Sequence, residues 1–152
     1  MPQELLNRIR DLVRSGQPRH DRASNLASAI KAFGQYSWVG IYDVDSQSVS
    51  ILAFAGSGPP AFPTFPITKG LTGSAIAQKS PVGGGDVAND PRYLTTFGTT
   101  ASEIIIPILD RQTGQVIGTI NVESSQKNAF SQNDQQLLQQ CASAALPLWL
   151  PI

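Results

Sequence analysis

The chain of 152 residues carries eleven basic and eleven acidic side chains, and only 14% of its residues are charged. A nucleic-acid-binding surface is usually strongly basic, so this balance argues against a nucleic-acid partner. The single cysteine, Cys141, excludes an intrachain disulfide and a cysteine-rich metal site. No apolar stretch approaches the ~18 residues that span a bilayer, and the N-terminus does not follow the signal-peptide pattern. We therefore expect a soluble, cytoplasmic protein with no membrane partner.

Two helices are predicted at the start of the chain. Apolar residues recur at helical spacing over residues 4–14, with charged residues on the opposite side. Gly16 and Pro18 interrupt this pattern. A second helix is predicted from about Asp21, as its N-cap, to Gly34.

A hairpin is predicted next. Residues 38–44 and 49–55 are rich in β-branched and aromatic side chains, and the turn-forming residues 45–47 separate them. Residues 56–66 and 80–100 have mainly the composition of loops.

A short helix is predicted between these loops, over residues 74–79, and Gly70-Leu71-Thr72-Gly73 opens it. The strongest strand patterns lie at residues 101–109 and 116–124. The order of the elements predicts an α+β domain, with an antiparallel sheet and the terminal helices on one of its faces.

The last helix has clear signals at both ends. Ser131 is predicted to be its N-cap, and Asp134 completes the start of a capping box. Pro147 is predicted to end the helix.

Six sequence strings occur in one order along the chain. They are Trp-Val-Gly-Ile-Tyr at 38–42, Lys-Gly-Leu-Thr-Gly-Ser-Ala at 69–75, Asp-Val-Ala-Asn-Asp-Pro-Arg-Tyr at 86–93, Ser-Glu-Ile-Ile-Ile-Pro-Ile at 102–108, Gly-Thr-Ile-Asn-Val-Glu-Ser at 118–124 and Phe-Ser-Gln-Asn-Asp at 130–134. Together they resemble the GAF family over about residues 20–147. The resemblance implies a GAF-like (profilin-like) six-stranded antiparallel sheet, with terminal helices on one face and a ligand pocket on the other.

The domain organisation follows from the same resemblance. We predict a single GAF domain over residues 1–152, with an N-terminal helix in 1–19, a core in 20–147 and an apolar tail in 148–152. GAF proteins of this kind are often homodimers. An apolar tail left in water favours aggregation, so we predict a homodimer through the terminal helices.

Within the family, the chain is most similar to the stand-alone free methionine-R-sulfoxide reductases. Those enzymes carry one cysteine where this chain has Thr72 and another at or near Thr96. Reducing a sulfoxide without a cofactor needs an attacking thiolate and a resolving thiol, and a threonine hydroxyl supplies neither. Cys141 lies on the apolar stripe of the last helix and is predicted to pack as a hydrophobic side chain. We therefore predict no catalytic residue.

Other kinds of site have little support in the sequence. His20, the only histidine, stands near Pro18 and is predicted to be solvated or to cap a helix. The acidic residues are scattered, which predicts no metal site. Gly83-Gly84-Gly85 lacks the Lys-Ser/Thr that follows a phosphate-binding loop, and no cofactor is expected.

The sequence matches poorly the signatures by which other GAF domains bind cyclic nucleotides or attach bilins. The cyclic-nucleotide signature requires lysine after the asparagine and ends in an acid, but Val122 follows Asn121, and Gln135 stands at the last position. Covalent bilin attachment requires a cysteine at the pocket, where this chain is not expected to have one.

A ligand site is predicted from strand alternation and from the resemblance. Side chains at every second position share a strand face, so Trp38 and Tyr42 lie on one face of their strand, and Asn121 and Glu123 lie on one face of theirs. In the resembling reductases a glutamate at Glu103 and aspartates at the positions of Asn121 and Glu123 hold the polar end of the substrate. The predicted ligand-binding residues are Trp38, Tyr42, Thr72, Thr96, Glu103, Asn121 and Glu123. Carboxylates beside aromatic rings suit an ammonium-bearing molecule such as an amino acid or amine.

Alternatives remain open for the site and for the function. Glu103 and Glu123 could be solvated strand-end residues beside a pocket that side chains fill. The favoured function is a non-catalytic sensory module that binds a small molecule. An enzyme related to the sulfoxide reductases and a purely structural dimerisation domain are the two alternatives.

Overall fold

This computed structural model describes residues 2–94 and 98–150, which contain four α-helices and six strands. The helices are α1 (Pro2–Val13), α2 (Arg19–Gly34), α3 (Gly70–Gln78) and α4 (Gln132–Ala145). The strands are β1 (Trp38–Val44), β2 (Ser48–Gly56), β3 (Thr64–Pro66), β4 (Val82–Gly84), β5 (Ser102–Leu109) and β6 (Val116–Ser124). None of the helices in these ranges is long and apolar enough to cross a membrane.

The strands form one antiparallel sheet in the order β3-β2-β1-β6-β5-β4. The predicted α+β architecture with six antiparallel strands is therefore confirmed. The long strands β1, β2, β5 and β6 occupy the centre, and the edges are strands of only three residues. Short edge strands limit the row of unpaired backbone groups that could recruit another chain.

The main core lies between one face of the sheet and helices α1, α2 and α4, as predicted. Alternation along β5 directs Ile104, Ile106 and Ile108 into this core and leaves Glu103 and Ile105 on the other face. The opposite face is covered by α3 and by the loops around it, and this is where a pocket was expected.

Two edge strands were missed because their segments are too short to show a hydrophobic period. Residues 80–100, predicted mainly as loop, contain β4 and a 3-10 turn at Val87–Asn89. Residues 56–66, also predicted as loop, contain β3. Both edge strands form because the long neighbouring strands offer backbone partners, which is a tertiary effect.

Two helix starts differ from the prediction. Pro18, with φ −53° and ψ 149°, is the N-cap of α2, so Asp21 lies in the first turn instead of capping it. Proline is favoured here because its φ is preset and its carbonyl accepts the Arg22 N–H at 3.0 Å. Helix α3 begins at Gly70 instead of Ser74, because the Gly73 N–H already donates to the Lys69 carbonyl at 2.8 Å.

The last helix begins as predicted. Asp134 donates its N–H to the Ser131 hydroxyl at 3.1 Å, and the Ser131 N–H donates to the Asp134 carboxylate at 2.9 Å. The helix ends at Ala145, and Pro147 lies in the 3-10 turn that follows, Leu146–Trp149.

The described part of the apolar tail is held within its own chain. The Arg19 guanidinium donates to the Leu148 carbonyl at 2.9 Å, and the Trp149 indole donates to the Tyr42 carbonyl at 3.2 Å. Leu148 is buried in the main core, while Leu150 remains 41% exposed. This part of the tail therefore contacts α2 and β1.

Candidate ligand-binding site

A small cavity lies on the face of the sheet that the terminal helices leave open. It has a free volume of about 20 Å³, which is enough for roughly one water molecule. The residues that line it come from β1, β3, β5, β6, α3 and two connecting segments: Tyr42, Phe62, Phe65, Gly70, Leu71, Thr72, Leu94, Glu103 and Asn121. A ligand larger than one water molecule therefore requires some of the lining side chains to move.

Most of the residues predicted from the sequence meet at this cavity. Tyr42, Thr72, Glu103 and Asn121 line it directly. Two more predicted residues, Trp38 and Glu123, are buried beside the lining residues without themselves lining the cavity. The seventh, Thr96, lies outside the described residues.

Cross-strand pairing brings these side chains together. Glu103 of β5 pairs with Glu123 of β6, and Glu123 in turn pairs with Trp38 of β1. In the neighbouring row on the same face, Asn121 pairs with Gly40. The register of the three central strands therefore places two carboxylates, an amide and an indole on one small area of the sheet.

The aromatic wall of the cavity depends on a glycine between two rings. The rings of Trp38 and Tyr42 lie 6.4 Å apart, and a Cβ at Gly40 would come within 2.3 Å of the first and 2.8 Å of the second. Phe54 stacks on Trp38 at 6.1 Å, and Phe65 meets Tyr42 edge-on at 5.9 Å. Trp38 therefore supports Tyr42, whose ring lines the cavity.

Both predicted carboxylates are buried. Glu103 is 5% exposed and Glu123 is 0% exposed, so neither is a solvated strand-end residue. The Thr100 hydroxyl donates a short hydrogen bond to the Glu123 carboxylate. Glu103, by contrast, forms no hydrogen bond or ion pair with any residue of the described ranges. Burial raises the pKa of Glu103 well above its usual value, and the negative charges of Glu123 and Asp90 add to this effect.

The amide of Asn121 is oriented by two threonines. The Thr119 hydroxyl donates to its Oδ1 at 2.7 Å, and its Nδ2 donates to the Thr72 hydroxyl oxygen at 3.0 Å. Thr72 is therefore held by α3 and by an amide of β6, and its own hydroxyl hydrogen remains available as a donor. Sequence reasoning did not single out Thr119, although alternation places it on the same face as Asn121.

Phe62, Phe65 and Leu94 were also missed. All three line the cavity, but Phe62 and Leu94 belong to connecting segments and Phe65 belongs to the short strand β3. Such segments have no helical or strand period from which a buried face can be predicted.

The family profile for the GAF domain matches residues 19–146. The chain belongs to the GAF family. GAF domain-containing protein A of Dictyostelium discoideum is 28% identical over 138 residues, covering 91% of this chain and 85% of that protein. The match and the six-stranded sheet together confirm the fold that the six sequence strings indicated.

Reductases are also among the similar GAF proteins. The X-ray structure of free methionine-R-sulfoxide reductase from Neisseria meningitidis, in complex with its substrate, superimposes with a TM-score of 0.87 at 25% identity, covering 97% of this chain and 87% of that chain. The free methionine-R-sulfoxide reductase of Saccharomyces cerevisiae is 26% identical over 107 residues, covering 70% of this chain and 59% of that enzyme. The GAF domain therefore has a close relationship to these reductases.

Cys141 and the cavity lie on opposite faces of the sheet. Cys141 belongs to the core between α4 and the opposite face of the sheet, where it is 0% exposed. Burial raises the pKa of its thiol to about 12, so the reactive thiolate is strongly disfavoured. The prediction that Cys141 packs as a hydrophobic side chain is confirmed.

Within the described ranges, no group of three or more His, Cys, Asp or Glu side chains is placed to hold a metal ion. His20 is exposed on α2, 3.7 Å from the Asp21 carboxylate. The described side chains that line the cavity carry a carboxylate, hydroxyls, an amide and aromatic rings.

Proposed function

We propose that this chain is a sensory or regulatory GAF module that binds a small ammonium-bearing molecule, such as an amino acid or amine, without transforming it. The observation that carries the proposal is the side chain of Glu103. It is a buried carboxylate that lines the cavity and has no hydrogen-bonding or cationic partner within the described residues.

The electrostatics of the cavity favour a cation. Burying an unpaired carboxylate costs several kcal/mol unless it takes up a proton or gains a partner of opposite charge. Glu123, directly opposite on β6, increases the cost for Glu103. A ligand ammonium group would offset this cost, so the free energy of ligand binding would include relief of the repulsion.

The rest of the lining suits the body of such a ligand. The faces of Tyr42 and Phe65 can receive a cation or an apolar chain. Thr72 and Asn121 offer a hydroxyl and an N–H to an oxygen of the ligand. A few convergent polar groups within an apolar wall are typical of small-molecule sites.

We infer that the chain does not reduce a sulfoxide from the number and position of its thiols. A cofactor-independent sulfoxide reductase needs two cooperating thiols. This sequence has one cysteine, and it lies on the far side of the sheet from the cavity. Thr72 stands at the cavity where a thiol would be required.

A reductase-related enzyme is the second candidate, because the similar proteins include free methionine-R-sulfoxide reductases. The two candidates differ in a simple assay. Purified protein is incubated with free methionine-R-sulfoxide and dithiothreitol, and methionine is quantified. We expect no turnover, whereas turnover that Cys141→Ser abolishes would establish the enzyme.

The binding proposal is tested by calorimetric titration with a panel of amino acids and amines. We expect at least one of them to bind to the wild type and to lose at least about tenfold in affinity with Glu103→Gln, since a buried charged hydrogen bond contributes about 1.5–3 kcal/mol. Glu4→Gln, on the exposed part of α1, is the control. Equal affinity of the wild type and Glu103→Gln would refute the carboxylate's role, and no binding at all would favour a structural dimerisation domain.

We also propose one cytoplasmic GAF domain over residues 1–152, which forms a homodimer through its terminal helices. Ile9 and Val13 of α1 lie outside the family match but are buried in the same core as β5 and β6, which supports a single folding unit. Light scattering over a range of concentrations tests the dimer, and a monomer at every concentration would refute it.

A further inference from the structure

A large groove runs between α1 and α4, on the side of the molecule away from the cavity. It has a volume of about 910 Å³ and is bordered by three exposed arginines, Arg10, Arg14 and Arg111. No acidic side chain is among the described residues that line it. The chain as a whole is neutral, so this concentration of positive charge is local.

Among the described residues, no carboxylate forms an ion pair with any of these three arginines. Arg10 donates to the Asn7 amide oxygen at 3.1 Å. Guanidinium groups form paired hydrogen bonds with carboxylates and phosphates. The groove therefore offers several unused donors to an anion.

Below the arginines the groove has an apolar floor and an amide-rich wall. Leu6 and Leu146, both nearly buried, contribute to the floor, and Gln139 and Gln140 of α4 contribute to the wall. Leu150 also lines the groove and is 41% exposed. Glutamine side chains can both donate to and accept from the backbone of a peptide.

The combination favours a peptide over other anions. None of the described residues that line the groove is aromatic, so it offers no surface for stacking a nucleobase. An inorganic polyanion would use the arginines but would gain nothing from the leucine floor. We propose that this groove docks a segment of a partner protein in which acidic side chains alternate with apolar ones.

A second copy of this chain fits the groove poorly. In a twofold dimer each surface meets its own copy, so the same three arginines would face one another. The groove is therefore the site of the partner segment and not of the proposed dimer.

The test uses a fluorescent synthetic peptide of Glu-Leu-Asp repeats, with fluorescence anisotropy as the measurement. We expect saturable binding that weakens as salt is raised. The triple variant Arg10→Gln, Arg14→Gln, Arg111→Gln should bind roughly tenfold more weakly, since each exposed ion pair contributes a factor of about two to five. Arg8→Gln, on the opposite side of α1, is the matched control and should bind like the wild type.

Several results would overturn the proposal. They are an unchanged affinity in the triple variant, equal binding of a Gln-Leu-Asn peptide, and binding of inorganic polyphosphate but not of the acidic peptide. Circular dichroism establishes that the variants are folded. The single charge reversal Arg111→Glu is an independent check that binding of the acidic peptide depends on the positive charge of the groove. Light scattering of the triple variant should show the wild-type oligomeric state, because a change would identify the groove as a contact between copies of this chain.

Discussion

Asn121 donates a hydrogen bond to Thr72 at 3.0 Å and thereby ties the central strand β6 to helix α3 across the floor of the cavity. Both side chains are buried, at 4% exposure each. A neutral amide and a hydroxyl form this contact without charge, and each side chain keeps one donor hydrogen that this bond does not use. The pair is therefore both a structural link and a part of the proposed site.

Thr72→Val removes the acceptor of this hydrogen bond with little change in shape. The Asn121 Nδ2 group would then be buried without that partner, and we expect the free energy of unfolding to fall by about 1–3 kcal/mol. Urea unfolding at neutral pH measures the change. Thr99→Val, at an exposed position, is the control and should alter stability by less than about 0.5 kcal/mol. Equal stability of the two variants would show that the hydrogen bond contributes little.

Glu103→Gln should stabilise the ligand-free protein at neutral pH while weakening ligand binding. The pKa of Glu103 is raised in the folded state, so the folded protein binds the Glu103 proton more tightly than the unfolded chain does. This adds to the stability of the wild type fully below the unfolded pKa of about 4.5, and the added stability is lost as the pH rises through the folded pKa. Glutamine does not titrate, so the variant does not lose stability in this way. We expect it to exceed the wild type by more than about 1 kcal/mol at neutral pH and to converge with it near pH 4.5.

Urea unfolding across this pH range measures the effect of Glu103. A wild type that is as stable as Glu103→Gln at neutral pH would mean that the buried carboxylate is compensated within the protein. The claim that a cationic ligand pairs with the Glu103 carboxylate would then lose its support.

Gly40→Ala should disturb the aromatic wall, because a Cβ there would meet the rings of Trp38 and Tyr42. Overpacking of this kind typically costs about 1–3 kcal/mol, and the indole of Trp38 should change its fluorescence as its ring shifts. Thermal unfolding and emission spectra measure both effects. Gly16→Ala, where nothing lies within 4 Å, should leave both unchanged. An unaltered spectrum in Gly40→Ala would argue that the rings do not depend on the glycine.

Cys141 should be unreactive in the folded protein. Its thiol is fully buried and its pKa is raised to about 12, so little thiolate forms near pH 8. We expect Ellman's reagent to label less than one tenth as fast in buffer as in denaturant. Rapid labelling of the native protein would instead support a redox role for this cysteine.

Local patterns in the sequence were sufficient for the long elements and for part of the site. Alternation placed Trp38 and Tyr42 on one face of their strand, and the box of Ser131 and Asp134 located the start of α4. Each of these signals lies within a few residues, because side-chain period and capping depend on local backbone geometry. The resemblance to GAF proteins added the six-stranded sheet, which the periodicity alone did not contain.

The tertiary structure decided what depends on contacts between distant segments. The edge strands exist because β2 and β5 supply backbone partners, and Thr119 became part of the site because Asn121 lies between it and Thr72. The burial of Glu103 and the arrangement of Arg10, Arg14 and Arg111 around one groove also follow from packing. A sequence determines which side chains share a face, but their environment depends on the elements that cover that face.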